Sequence, residues 1–117
     1  MLNGFYAIYF TGVTGSGIGI IAASNGVLSG ADAAGGIYDG TYQQNATTKQ
    51  YDAKIKLTVP PGTSLVTGAL AGTQPMSIDI VTILPENLGN NHPVTIDTPT
   101  GKVNVIFKKL RDFPANI

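Results

Sequence analysis

YDAKIKLTV, residues 51–59, decides the fold class: Tyr51, Ala53, Ile55, Leu57 and Val59 alternate with Asp52, Lys54, Lys56 and Thr58. A period of two held over this length marks a β-strand with one dry face and one wet face. The same pattern recurs downstream. Met76, Ile78, Ile80 and Leu84 oppose Ser77 and Asp79, and Val103, Val105 and Phe107 oppose Lys102, Asn104 and Lys108, with Ile106 breaking the last alternation. These three strands place Tyr51, Ile55, Leu57, Val59, Ile78, Ile80, Val103, Val105 and Phe107 in the interior and turn Lys54, Lys56 and Asp79 to water.

Upstream, residues 3–42 read NGFYAIYF, then GIGIIAASNGVLSGAD, then GIYDGTY, short apolar runs cut by glycine. Glycine serves sharp turns, bulges and close strand packing, so this block is also β in character. Asn25-Gly26 is a two-residue hairpin signal, because both residues tolerate positive φ. Pro60-Pro61-Gly62 ends a strand, residues 86–93 read as a polar loop, and Pro99-Thr100-Gly101 reads as a turn. No window carries a helical period. The count is about eight strands in a chain of 117 residues, one domain spanning 1–117. A meander leaves two unpaired edges that closure removes, which favours an up-and-down antiparallel β-barrel over a sandwich.

The composition narrows function. There is no cysteine, and seven basic residues balance seven acidic ones, so no nucleic-acid partner and no anionic membrane surface is expected. Charged residues are 12% of the chain, against about 25% in typical domains. With no basic leader and no apolar run of membrane-spanning length, a cytoplasmic location is the expectation. The first strand, Phe5, Tyr6, Ala7, Ile8, Tyr9 and Phe10, is apolar on both faces. A barrel wall buries one face itself, so this strand is the candidate interface of a homodimer.

Chemistry-bearing motifs are few. Residues 11–19, TGVTGSGIG, resemble the glycine-rich turn of short-chain dehydrogenases, but Asn25-Gly26 arrives too early for the helix such a turn requires. The segment reads instead as a loop between strands. His92 is the single histidine and makes no zinc site alone. Asp32 and Asp39 read as turn formers rather than a catalytic pair. Lys102, Lys108, Lys109 and Arg111 read as an outer face or an edge guard. Neither enzyme activity nor a cofactor or metal is expected. Tyr38, Tyr42 and Tyr51 either line a ligand cavity or fill the interior, and filling is the expectation for a barrel this small.

The ordered set Asn3-Gly4-Phe5-Tyr6, Gly17-x-Gly19, Asn25-Gly26, Gly30-x-Asp32 and Tyr38-x-Gly40-x-Tyr42 resembles the GrlR-like family. The likeness spans roughly residues 3–59 and thins afterwards. It implies a lipocalin-like barrel, a homodimer and a bacterial regulatory protein that sequesters a protein partner. In the best-known member an acidic run makes that contact. The matching segment here is Gln43, Gln44, Asn45, Ala46, Thr47 and Thr48, which carries no acidic residue and offers a basic partner no charge-assisted contact. The sequence therefore points to a non-enzymatic interaction protein. The alternative is a carrier holding a small apolar ligand inside the barrel, which requires a hollow interior.

Overall fold

The computed structural model describes residues 2–114, so residues 1 and 115–117 of the expected 1–117 domain lie outside the described residues. Eight strands follow one another: β1 (Gly4–Gly12), β2 (Gly15–Ser24), β3 (Val27–Asp32), β4 (Ile37–Gln44), β5 (Tyr51–Val59), β6 (Met76–Leu84), β7 (Asn90–Thr98) and β8 (Gly101–Arg111). All pairings are antiparallel and form one sheet in the order β6-β5-β4-β3-β2-β1-β8-β7. The chain is thus an up-and-down, lipocalin-like barrel that is nearly closed. Pairing of β1 with β8 joins the two ends of the meander, and the seam falls between β6 and β7.

The registers explain the faces. Ile55 lies opposite Ile80 and Leu57 opposite Ile78, so the two alternating strands put their apolar sets on the same inner side. Lys54, Lys56 and Asp79 are exposed on the outer side. Ile106 pairs with Tyr9 on the outer face of β8 and β1, which is why it breaks the inward alternation. Asn25 and Gly26 have φ of 50° and 80°, the left-handed pair that a two-residue hairpin needs.

Two segments differ from the sequence-based expectation. Residues 11–19 are not a loop: β1 runs to Gly12, β2 starts at Gly15, and only Val13 and Thr14 make the turn. Phe10 pairs with Gly17, and a Cβ on Gly17 would overlap the tip of the Phe10 ring, so the glycine leaves room for that ring over β2. Residues 86–93 are likewise not all loop, because β7 begins at Asn90 and contains Pro93 opposite Ile106. A proline survives there because β7 borders the seam, and an edge strand needs no N–H for a second neighbour.

The core is divided along the barrel axis. At the end formed by the N-terminal residues and the β2–β3, β4–β5 and β6–β7 turns, Leu2, Tyr6, Leu28, Tyr42, Tyr51 and Leu84 are buried together. The Tyr42 hydroxyl donates to the Leu2 carbonyl at 2.7 Å, and the Tyr42 and Tyr51 rings meet edge to face at 5.9 Å. The other end is open beneath the segment 60–75.

Candidate functional site

Above the tyrosine plug the barrel holds a cavity of about 460 Å³. Ile55, Leu57, Ile78, Ile80, Val103, Val105 and Phe107, all placed inside by the alternation, line it, and Ile8, Phe10, Ile21 and Ile96 complete the wall. Tyr51 belongs to the plug and is 1% exposed. Leu57 and Val103 are only half-buried because they stand where the cavity meets the open end. The expectation of a filled interior is therefore corrected. Tyr42 and Tyr51 fill one end, but Tyr38 lines a hollow at the other. The volume lies within the range of pockets that take small molecules.

The mouth carries the polar groups. Asp32 and Asp39 do not face each other: Asp39 pairs with Ser29 on the outer face, whereas Asp32 pairs with Gly19 on the inner face and lines the cavity. The Tyr38 hydroxyl donates to Asp32 Oδ2 at 2.6 Å, while Asp32 Oδ1 accepts from the backbone N–H of Ala34 at 3.0 Å and of Gly36 at 2.9 Å. The carboxylate thus shapes the β3–β4 turn and faces the cavity at once. Burial first, and the carboxylate beside it second, push the Tyr38 phenol far above the ordinary tyrosine range. Among the described residues of the lining, Asp32 is the one charged side chain.

Residues 60–75 form a lid, which the sequence did not announce beyond its opening Pro-Pro-Gly. The segment folds on itself through Leu65 N–H to Ala69 O at 2.8 Å, Ala71 N–H to Thr63 O at 2.9 Å and a bridge between Ser64 and Leu70. Leu65 packs against the core and Ala71 is buried. The rim holds the lid from two sides. Thr14 donates its N–H and its hydroxyl to Val66 O, each at 2.9 Å, and Thr67 Oγ1 meets Thr100 Oγ1 at 3.0 Å. A loop this long inside a small domain usually serves a site. Its length between β5 and β6, with glycines at 62, 68 and 72, was the available signal.

The remaining candidates separate in space. In β1, Tyr6, Ile8 and Phe10 point into the barrel, and Phe5, Ala7 and Tyr9 point outward. Phe5 stacks on Phe113 at 5.3 Å, Ala7 is buried between its neighbours, and Tyr9 stays 43% exposed. Gln43 and Gln44 end β4, and Asn45, Thr47 and Thr48 lie in the β4–β5 turn, at the plugged end away from the cavity. Asn45 Oδ1 accepts from Thr47 N–H and Thr48 N–H at 2.9 and 3.0 Å, and Gln44 donates to Lys49 O at 2.9 Å, so much of that polarity is spent within the turn. His92 is an exposed residue of β7, and Lys102 pairs with Asp97 on the outer surface at 2.9 Å.

No protein-family model matches this chain, and no curated protein matches it.

Proposed function

We propose that this barrel is a binding protein that holds one small apolar molecule in its lidded cavity. The single observation carrying the reading is the apolar hollow of about 460 Å³ in an interior otherwise packed at its other end. An unfilled apolar cavity forfeits dispersion contacts on its lining, and a ligand of matching shape restores them. N-phenyl-1-naphthylamine, a neutral probe that brightens in apolar surroundings, tests it by titration. Saturable binding near one probe per chain is expected, with Ile80→Trp, which fills the hollow, weakening it roughly ten-fold or more. Absence of saturable binding, or an Ile80→Trp variant that binds like wild type, defeats the reading.

A second reading, an interaction protein acting as a homodimer, is favoured by the outer face of β1 to β4. Tyr9, Ile18, Ile20 and Ile37 are each about half exposed there, with Ala7 and Ala31 between them. None of these six is charged, and the nearest charge on that face is Lys108, which flanks the patch opposite Ala7. The two readings are compatible, since they use opposite faces of the same wall. Sedimentation at tens of micromolar decides it: a dimer that Ile20→Lys converts to a folded monomer supports the interface, and a monomeric wild type removes it.

A further inference from the structure

The composition of the cavity mouth constrains the ligand's head group. We propose that the cavity takes single-chain amphiphiles with an uncharged or amine head and rejects carboxylates, and that Asp32 sets this choice. The proposal rests on the reading of the hollow as a ligand site.

Four observations lead to it. The depth of the cavity is aliphatic and aromatic, so a charged head entering first would be buried without a partner. The head must therefore sit at the mouth, among Thr67, Thr98, Thr100 and Asp32. No lysine, arginine or histidine of the described residues lines the cavity: Lys54 and Lys56 are exposed on the outer wall and Lys102 pairs with Asp97 outside. A carboxylate head would thus meet another carboxylate and no cation. Asp32 already accepts from two backbone N–H groups and the Tyr38 hydroxyl. A carboxylate has about four acceptor sites, so one remains for a donor, which an ammonium or a hydroxyl supplies and a carboxylate does not. For size, a volume of about 460 Å³, at roughly 30 Å³ per small group, accommodates about fifteen non-hydrogen atoms. That matches a medium-length alkyl chain with its head.

Displacement of N-phenyl-1-naphthylamine by decylamine, decanol and decanoate, each below its aggregation concentration at neutral pH, tests the proposal. Wild type should release the probe at a decylamine concentration roughly ten-fold or more below that of decanoate, with decanol also ahead of decanoate. Asp32→Asn, which keeps an acceptor for the turn, should bring decylamine and decanoate within about three-fold of each other. Should that variant fail to fold, Thr63→Lys answers the same question by adding a cation to the lining without removing a side-chain hydrogen bond, and it should improve decanoate several-fold. The proposal falls if decanoate competes as well as decylamine in wild type. It falls equally if Asp32→Asn folds and leaves the gap intact, or if Thr63→Lys leaves decanoate no better. In those cases the probe still binds and the cavity reading stands, whereas a probe that does not bind at all defeats both.

Discussion

Gly17 and Gly30 both face the barrel interior, yet they answer to different neighbours. A Cβ on Gly17 would strike the tip of the Phe10 ring, a side chain that can swing, whereas a Cβ on Gly30 would strike the carbonyl oxygen of Ile20, part of the adjacent strand's backbone. Overpacking is cheap where a side chain yields and dear where backbone must move. Gly17→Ala is expected to cost about 1 kcal/mol and to weaken probe binding as Phe10 moves into the hollow, and Gly30→Ala to cost about 3 kcal/mol. Urea denaturation checks the order, and equal losses would refute it. Tyr38 makes a second residue-scale prediction. Its phenol ionises at higher pH in the folded chain than in the unfolded one, whose value is about 10. The folded state therefore keeps this proton when the unfolded state has lost it, so the contribution is intact below pH about 10 and declines as pH rises above it. Tyr38→Phe should lower stability at neutral pH by about 1–3 kcal/mol, through the lost bond to Asp32, and flatten the fall of stability above pH about 10. Unfolding midpoints from pH 8 to 11 measure both effects, and an unchanged alkaline slope would count against this account. At this scale the sequence was partly legible. Asp32 was visible as a turn former, which it is, but its inward direction depends on pairing with Gly19, and a glycine-rich strand shows no alternation from which to read a face.

Strands with clean alternation could be read because each side chain reports its own surroundings. In β5 and β6 the lysines and aspartates mark the wet side without help from any other part of the chain. Where side chains carry no such contrast, the reading failed for a physical reason. Pro93 looked like a loop residue because a two-sided strand excludes it, and only the seam makes β7 an edge. The lid escaped notice because residues 60–75 carry no period: backbone bonds within the segment and distant partners, Thr14 and Thr100, hold it in place. Thr14 gives the element-scale prediction. Its hydroxyl reaches Leu65 O at 3.1 Å and Val66 O at 2.9 Å on an exposed rim, while its backbone N–H holds Val66 independently. Thr14→Val should therefore change global stability by less than about 1 kcal/mol. Local opening of the lid should nevertheless become easier, which hydrogen exchange detects as weaker protection of the Leu65 and Ala71 amides. Dissociation of a bound probe, followed by stopped flow, should quicken several-fold if the ligand leaves past the lid. Unaltered exchange at both amides would show that Thr14 does not restrain it.

The whole molecule is a barrel packed at one end and hollow at the other, and that asymmetry was hidden in the sequence for a geometric reason. Inward-facing residues look the same whether they meet across the axis or stop short of one another; what separates the cases is how far the walls stand apart, which strand number, tilt and register fix together. The tyrosines close the plugged end because Leu2 lies close enough to accept from Tyr42, a contact spanning most of the first half of the chain. Stability should accordingly be graded along the axis. Leu84 is 2% exposed among Tyr51 and its neighbours, so truncation there removes contacts on every side and leaves a new void. Leu57 borders space that is already empty, so truncation enlarges an existing hollow and forfeits fewer contacts. Leu84→Ala is expected to cost about 3–5 kcal/mol, and Leu57→Ala about 1–2 kcal/mol, although both delete the same atoms. A saturating apolar ligand should narrow that difference, because Leu57→Ala then loses ligand contacts in addition to its own packing while Leu84→Ala leaves the binding wall intact. Paired denaturation curves with and without N-phenyl-1-naphthylamine provide the measurement. Equal losses at the two sites without ligand would mean that the open end is as tightly packed as the plug, and the hollow interior would have to be abandoned.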